Sequence, residues 1–277
     1  MSRLNSPRNP FAVLAILTAA LILGLLIAAP MAMVVGQAFS AGLGGWWAAV
    51  TDEETLRALR LSALVAAIAV PVNTLGGVAA AWWIARFRFR GRKLVTALLD
   101  LPLSVSPVVA GLLFVLLFGS QGWWGSWLQE QDIHILFAVP GIALATLFVT
   151  LPMVAREVLP LLQAQGSDVE WAAVTMGANG TQLFWKIVFP RMRWAVLYGV
   201  LLTGARALGE FGAVSVVSGH IRGETSTLPL HIEVLYAEYH SQQAFAASSL
   251  LVLAGLLALV VRRALAARLP QGAPRGH

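Results

Sequence analysis

Six long apolar stretches constrain this chain more than any other feature: roughly Phe11–Phe39, Leu61–Ala85, Leu94–Phe118, Ile135–Ala155, Ala195–Val217 and Ala244–Val261. About 20 predominantly apolar residues let a helix cross the hydrocarbon core of a bilayer. A helix also satisfies its own backbone hydrogen bonds there, so the expected fold class is all-α integral membrane with about six transmembrane helices. Only 12% of the residues are charged, too few to cover a water-facing surface when ordinary soluble domains carry roughly 25%. Pro71 lies in the second stretch and Pro102 and Pro107 in the third, and neighbouring helices can satisfy the carbonyls that they free. The first stretch follows Arg3 and Arg8 but far exceeds the roughly 7–15 apolar residues of a signal-peptide core. It is read as an uncleaved span over residues 11–39, ahead of a main transmembrane domain over 58–265.

A net charge of +6 and a pI near 10.7 would fit a nucleic-acid binder, so the placement of the charges has to decide. Arg3 and Arg8 precede the first stretch, and Arg86, Arg88, Arg90, Arg92 and Lys93 join the second to the third. Arg156, Lys186, Arg191 and Arg193 join the fourth to the fifth, and Arg262, Arg263, Arg268 and Arg275 follow the sixth. Fifteen of the nineteen basic residues therefore share one face, which the positive-inside rule assigns to the cytoplasm together with both termini. The basicity is topological, and no nucleic-acid partner is expected. Asp52-Glu53-Glu54, Glu130–Asp132 and the tryptophans 46, 47, 123, 124 and 127 fall on the outer face, where tryptophan anchors helices at the lipid headgroups. With no cysteine, the chain has no disulfides, thiolate metal sites or cysteine nucleophiles.

The link from Arg156 to Arg193 is too long for a simple turn and too regular for disorder. Ser167 is an N-cap candidate, with Asp168 and Glu170 in the first turn of a helix through Trp171, Ala172, Ala173 and Met176. Gly177-Ala178-Asn179-Gly180 breaks that helix. A second helix from Thr181 to about Val188 places Leu183, Phe184 and Ile187 on one face before Pro190 starts the fifth span. Such a helix-turn-helix either docks in a partner's groove or packs beneath its own bundle.

Ala172-Ala173, Gly177 and, further on, Ile187-Val188-Phe189-Pro190 resemble the EAA signature of bacterial type I ABC-importer permeases. Trp171 stands where that signature has glutamate, with Glu170 one position earlier, and Phe189 replaces the usual leucine. Glu170 or Asp168 is left to make the polar contact. The resemblance implies a coupling helix, at about residues 167–190, seated in a groove of an ATP-hydrolysing subunit through Asp168, Glu170, Trp171, Ala172, Ala173, Gly177, Ile187 and Pro190. Residues 201–235, LLTGARALGEFGAVSVVSGHIRGETSTLPLHIEVL, resemble the sulfate/thiosulfate branch of those permeases, and its W-type subunit more than its T-type partner. LPLSVSPVVAGL, residues 101–112, resembles the same branch. ARALGEFGA alone is shared with molybdate and tungstate permeases, the closest alternative on this fold. The implied setting is a bacterial inner membrane with a T-type permease, an ABC ATPase dimer that uses ATP-Mg, and a periplasmic sulfate-binding protein. No cofactor is expected on this chain.

The residues also allow a physical reading. Arg206 and Glu210 stand four apart in the fifth stretch, where isolated charges are costly and normally pair toward the bundle interior. They either line a dianion pathway or fix packing against a second permease subunit. Ser104 and Ser106 beside Pro107 offer hydroxyl donors to a desolvated oxyanion, or simply let helices approach. Asp100 is expected to reach headgroup water or to pair with Arg92 or Lys93. The outer link Gly219–Gln243, with Arg222, Glu224 and Thr225 and a short helix around Leu230–Tyr239, suits contact with a periplasmic binding protein. His220, His231 and His240 fit no metal spacing, and Asn179-Gly180-Thr181 is a chance sequon on the cytoplasmic side.

The sequence contains no GxxxxGK[ST], GxSxG or HExxH, so neither ATP hydrolysis nor hydrolase chemistry is expected within this chain. An ion-coupled secondary transporter is a weaker alternative, since such proteins show internal repeats and midplane carboxylates, and here Glu210 is the one well-buried acid. A scaffold protein without transport activity is weaker still.

Overall fold

A computed structural model describes residues 10–266, whose regular elements are all helices, with no strand among them. Arg3, Arg8, Arg268 and Arg275, used above for orientation, lie outside the described residues. The described residues divide into two compact units, one of residues 10–52 with Ile232–Val252, the other of Glu53–His231 with residues 253–266.

The first unit holds α1 (Pro10–Ala38) and α2 (Gly42–Val50). No residue in the most apolar stretch of α1 is buried within the chain. Ala49 and Val50 of α2 pack on Ala246, flanked by Trp46 and Leu250. The Trp46 indole N–H donates to the Ser249 hydroxyl at 3.0 Å. This tryptophan is therefore an internal tie, whereas Trp47 is exposed.

The second unit is built on α3 (Glu53–Arg86), with acids in its first turn and Arg86 in its last, as the helix dipole favours. It is followed by α4 (Arg92–Ser104), α5 (Pro107–Phe118), α6 (Gly125–Glu130), α7 (Val139–Thr150) and α8 (Pro152–Gln165). Helix α3 packs against α8 and against α11 (Phe189–Leu208) at a point where almost no side chain separates the backbones. A methyl group on Gly77 would stand 2.9 Å from Val154 Cβ, and one on Gly199 would stand 2.7 Å from Val154 Cα. Small residues at such crossings are how membrane helices gain dispersion contact without a hydrophobic driving force. Deeper in the bundle the Asn73 amide donates to the Leu147 carbonyl (3.0 Å) and the Thr150 hydroxyl (2.7 Å).

Four of the six expected spans are continuous: α1, α3, α7–α8 read as one, and α14 (Ser241–Ala266). The other two are interrupted. The third expected span bends by 109° between α4 and α5. Pro107 opens α5 at its first helical position, and a residue preceding proline is driven to extended backbone, as Ser106 is at φ −58, ψ 135. The fifth expected span stops at Leu208 and resumes only as α12 (Gly212–Val217). Helix α11 also carries Arg191, Arg193 and Arg206, so it is less apolar than the four continuous spans.

Contacts at the two ends of α3 define two ends of this unit. At one end, beyond Arg86, the Gln165 side-chain amide donates to the Arg191 carbonyl at 3.4 Å and the Arg191 guanidinium donates to the Gln165 carbonyl at 3.5 Å. At the other, Ser62 accepts the Leu228 N–H at 2.8 Å, where α13 (Leu228–Ala237) begins. The chain from Arg191 to Leu228 thus runs the length of the bundle despite its break. Asp100 pairs with Arg156 of α8 at 2.9 Å, in place of the expected Arg92 or Lys93.

Candidate functional site

The Arg156–Arg193 link forms α9 (Asp168–Thr175), then a turn, then α10 (Gly180–Leu183). Ser167 stands at the N-cap position without a side-chain cap bond. The stop is more strongly built than the start. Gly177 has φ +89, its N–H donates to Val174 O, and Ala178 N–H donates to Ala173 O, both at 3.0 Å. Those two bonds to the last turn make a Schellman motif, whose left-handed residue favours glycine. Asn179 and Gln182 then close a reciprocal capping box, with bonds of 2.8 and 3.2 Å, and start α10.

The expected second helix is not separate from the fifth span. From α10 the chain passes through a π-helical turn, Phe184–Val188, directly into α11. Pro190 has no N–H to offer the carbonyl four residues back, and the wider turn just before it accommodates that loss.

Exposure divides the residues of this loop. Asp168, Trp171, Ala172, Gly177 and Pro190 are exposed, Ile187 is half-buried, and Ala173 is buried. Val169, Val174, Met176 and Trp185 add further exposed apolar surface. Glu170 is different. It is turned inward, and the Arg86 Nε lies 2.8 Å from each of its carboxylate oxygens. Arg86 Nη2 stands 2.6 Å from Oε1, off the hydrogen-bond axis, and Nη1 donates to Leu162 O at 2.8 Å. One turn earlier on α3, Trp82 meets the Phe184 ring at 5.4 Å. Both halves of the loop therefore grip the last turn of α3. In the sequence Arg86 stands only as a basic residue of its link; its pairing with Glu170 is not legible there, because the two lie 84 residues apart.

A second group of residues gathers where the two interrupted spans meet. A methyl group on Gly212 would stand 2.8 Å from Pro107 Cβ, and one on Gly111 would stand 2.7 Å from Val216 Cβ, so α5 lies directly on α12. Ser104 and Ser106 flank the bend and are exposed. Arg206 and Glu210 do pair, with Nη2 3.1 Å from Oε2, although this oxygen has no aligned hydrogen bond. Glu210 is buried, whereas the Arg206 side chain is 42% exposed. The other Glu210 oxygen accepts the Ala213 N–H at 2.9 Å, which caps the start of α12. The pair is therefore a helix cap with a guanidinium reaching out of it, a role invisible in a sequence that reads as one uninterrupted span.

The outer link is partly folded into the bundle. Arg222 and Glu224 are exposed, and Arg222 stands 3.6 Å from Glu54. Thr225 is buried. Its hydroxyl accepts the Ile221 N–H at 3.1 Å and its carbonyl accepts the Ser218 hydroxyl at 2.7 Å. This takes the Thr225 side chain out of any surface offered to a partner. His231 is also buried, with Nε2 3.1 Å from the Thr55 hydroxyl. Helix α13 starts at Leu228, two residues ahead of the expected start, because the Leu228 N–H is held by Ser62.

A helical bundle with four continuous candidate spans and two interrupted ones defines the class as multi-span membrane proteins. Residues 73–271 match the family described as binding-protein-dependent transport system inner membrane component, and this chain belongs to that family. It is a membrane component of a transport system, not an enzyme. The sulfate transport system permease protein CysW of Synechococcus elongatus is 52% identical over 248 residues, covering 90% of this chain and 87% of that protein. The sulfate transport system permease protein CysT of Escherichia coli is 36% identical over 242 residues, covering 87% of each chain. Among solved structures, a bacterial ABC transporter involved in import of the acidic polysaccharide alginate shares the fold. The TM-score is 0.74 at 17% identity, over 94% of this chain and 96% of that one.

Proposed function

We propose that this chain is the W-type permease subunit of an ATP-driven importer that carries sulfate, and thiosulfate with it, across the bacterial inner membrane. The observation that carries this reading is 52% identity over nine-tenths of the chain to a W-type sulfate permease, against 36% to a T-type one. The molybdate or tungstate alternative has no comparable support. The subunit pairs with a T-type permease and receives its substrate from a periplasmic sulfate-binding protein. An ABC ATPase dimer supplies the energy and holds ATP-Mg, so this chain needs no cofactor.

The basic links and both termini face the cytoplasm, on the charge pattern above. Asp168, Trp171, Ala172, Gly177, Ile187 and Pro190, on or beside the exposed apolar surface of the α9–α10 loop, dock the ATPase, with Ala173 and Glu170 holding the loop from within. Arg206, with Glu210, Ser104 and Ser106, stands at the junction of the broken spans, where a half-exposed guanidinium offers positive potential to a dianion. Arg222 and Glu224 contact the binding protein; Thr225 orders their loop. ATP-driven closure of the ATPases moves the docked loop and turns the bundle outward, and hydrolysis restores the inward state.

Radiolabelled sulfate uptake in cells lacking this chain and any second sulfate system tests the reading. Uptake that is lost, restored by the gene and blocked by excess thiosulfate supports it. Uptake that stays intact, or a restored uptake blocked by molybdate alone, refutes it.

A further inference from the structure

We propose that Arg86 is a positioning residue: it latches the docking helix α9 to α3 and α8, so that movement of α9 is delivered to both helices at once. The inference rests on the reading of the α9–α10 loop as the ATPase-docking element.

Helix α9 has eight residues, too few for a helix to persist by itself in water. It buries only Glu170 and Ala173, and most of its apolar side chains point outward. Ala173 offers a single methyl group to the bundle. The firm connection is therefore the Glu170 carboxylate, held side-on by a guanidinium at 2.8 Å to each oxygen, with both side chains about 10% exposed. That guanidinium is the last residue of α3, and its Nη1 also binds Leu162 O in the last turns of α8. One planar fork thus joins three helices, a geometry that lysine cannot reproduce. The Trp82–Phe184 contact lies on the same face of α3, four residues earlier, and holds the second half of the loop by shape alone. Because the pair is buried, α9 cannot tilt away without exposing or orphaning a charge, which is costly. A docking helix held only by dispersion could slide, whereas one held by a buried ion pair, with the Arg86 Nε–H shared between both carboxylate oxygens, transmits displacement. Glu170 consequently acts inward in this chain, and the exposed Asp168 is the acid left to face a partner.

The test uses the complete complex, with both permeases, the ATPase and the binding protein, reconstituted in proteoliposomes. Glu170→Gln keeps the size and one acceptor but removes the charge, and Arg86→Lys keeps the charge but removes the fork. Both are expected to co-purify with a stoichiometric ATPase and to hydrolyse ATP. Sulfate moved per ATP should fall about tenfold, inside the roughly 5- to 150-fold span typical of coupling between sites. The swap Arg86→Glu with Glu170→Arg should recover part of that ratio. A merely structural role would lower the yield of complex but leave sulfate per ATP unchanged, and this result would overturn the latch. Loss of the ATPase from the Glu170→Gln complex would also overturn it, by making Glu170 an interface contact. A wild-type complex that purifies without any ATPase would instead refute the docking reading, and the latch with it.

Discussion

Gly177 and Gly180 bracket the turn between α9 and α10, and a methyl group added to either meets nothing within 4 Å. They differ in backbone conformation: Gly177 sits at φ +89 and Gly180 does not have a positive φ. The left-handed region costs an L-residue about 1–2 kcal/mol, so Gly177→Ala should lower the population of the ordered loop by a factor of about 5–30. No relief by repacking is available, because the site is open and the cost lies wholly in the backbone. Gly180→Ala occupies the first position of α10, behind the Asn179 cap, and should stabilise that turn by about 0.5–1 kcal/mol. Gly177→Asn should be nearly tolerated, since asparagine adopts left-handed geometry more readily, and Gly177→Val should be the worst of the series. The assay is co-purification of the ATPase with the permease from detergent extract, normalised to inserted permease. The expected order of retention is Gly180→Ala, wild type, Gly177→Asn, Gly177→Ala, Gly177→Val. Equal retention for Gly177→Ala and Gly180→Ala would refute the argument, as would Gly177→Asn behaving like Gly177→Val. Gly177→Asp adds a charge to the same strain and should insert normally but lose both the ATPase and uptake.

Gly199→Ala should destabilise the solubilised protein by about 1–3 kcal/mol in thermal unfolding, because the added methyl meets Val154 Cα at 2.7 Å. Val154→Ala should not rescue it, since the obstructing atom is backbone, and Gly76→Ala, with open space around it, should be harmless. Ser62→Ala leaves the Leu228 N–H without its acceptor and should cost about 1–3 kcal/mol in the same measurement. Glu210→Gln keeps an acceptor for the Ala213 N–H and should unfold near the wild-type temperature, while Glu210→Ala loses the cap and about 0.5–2 kcal/mol. Arg206→Lys combined with Glu210→Asp should lower sulfate uptake while sparing insertion. Full uptake by that double variant would remove the pair from the translocation pathway.

The membrane class, the helical fold and the place of each continuous span follow from the sequence alone, because a bilayer turns a local property, apolar length, into a global constraint. The α9–α10 loop was legible for a related reason. Gly177-Ala178-Asn179-Gly180 marks the break locally, through bonds that reach only three to five residues along the chain, whereas the Asn179–Gln182 capping box that starts α10 emerged only from the structure. The Arg206–Glu210 pair was foreseen from spacing, but its capping of α12 was not. That role depends on a helix break at Gly209–Phe211, which a uniformly apolar run does not announce. Tertiary structure alone decided the rest. It brought Arg86 to Glu170 and Leu162, sent Asp100 to Arg156, placed His231 against Thr55, and laid the bend at Pro107 on Gly212. Each of these joins residues far apart in sequence. Such a partner is selected by how helices cross, and the crossing angles and depths are set by small residues such as Gly77, Gly111, Gly199 and Gly212, which carry no chemical signal of their own.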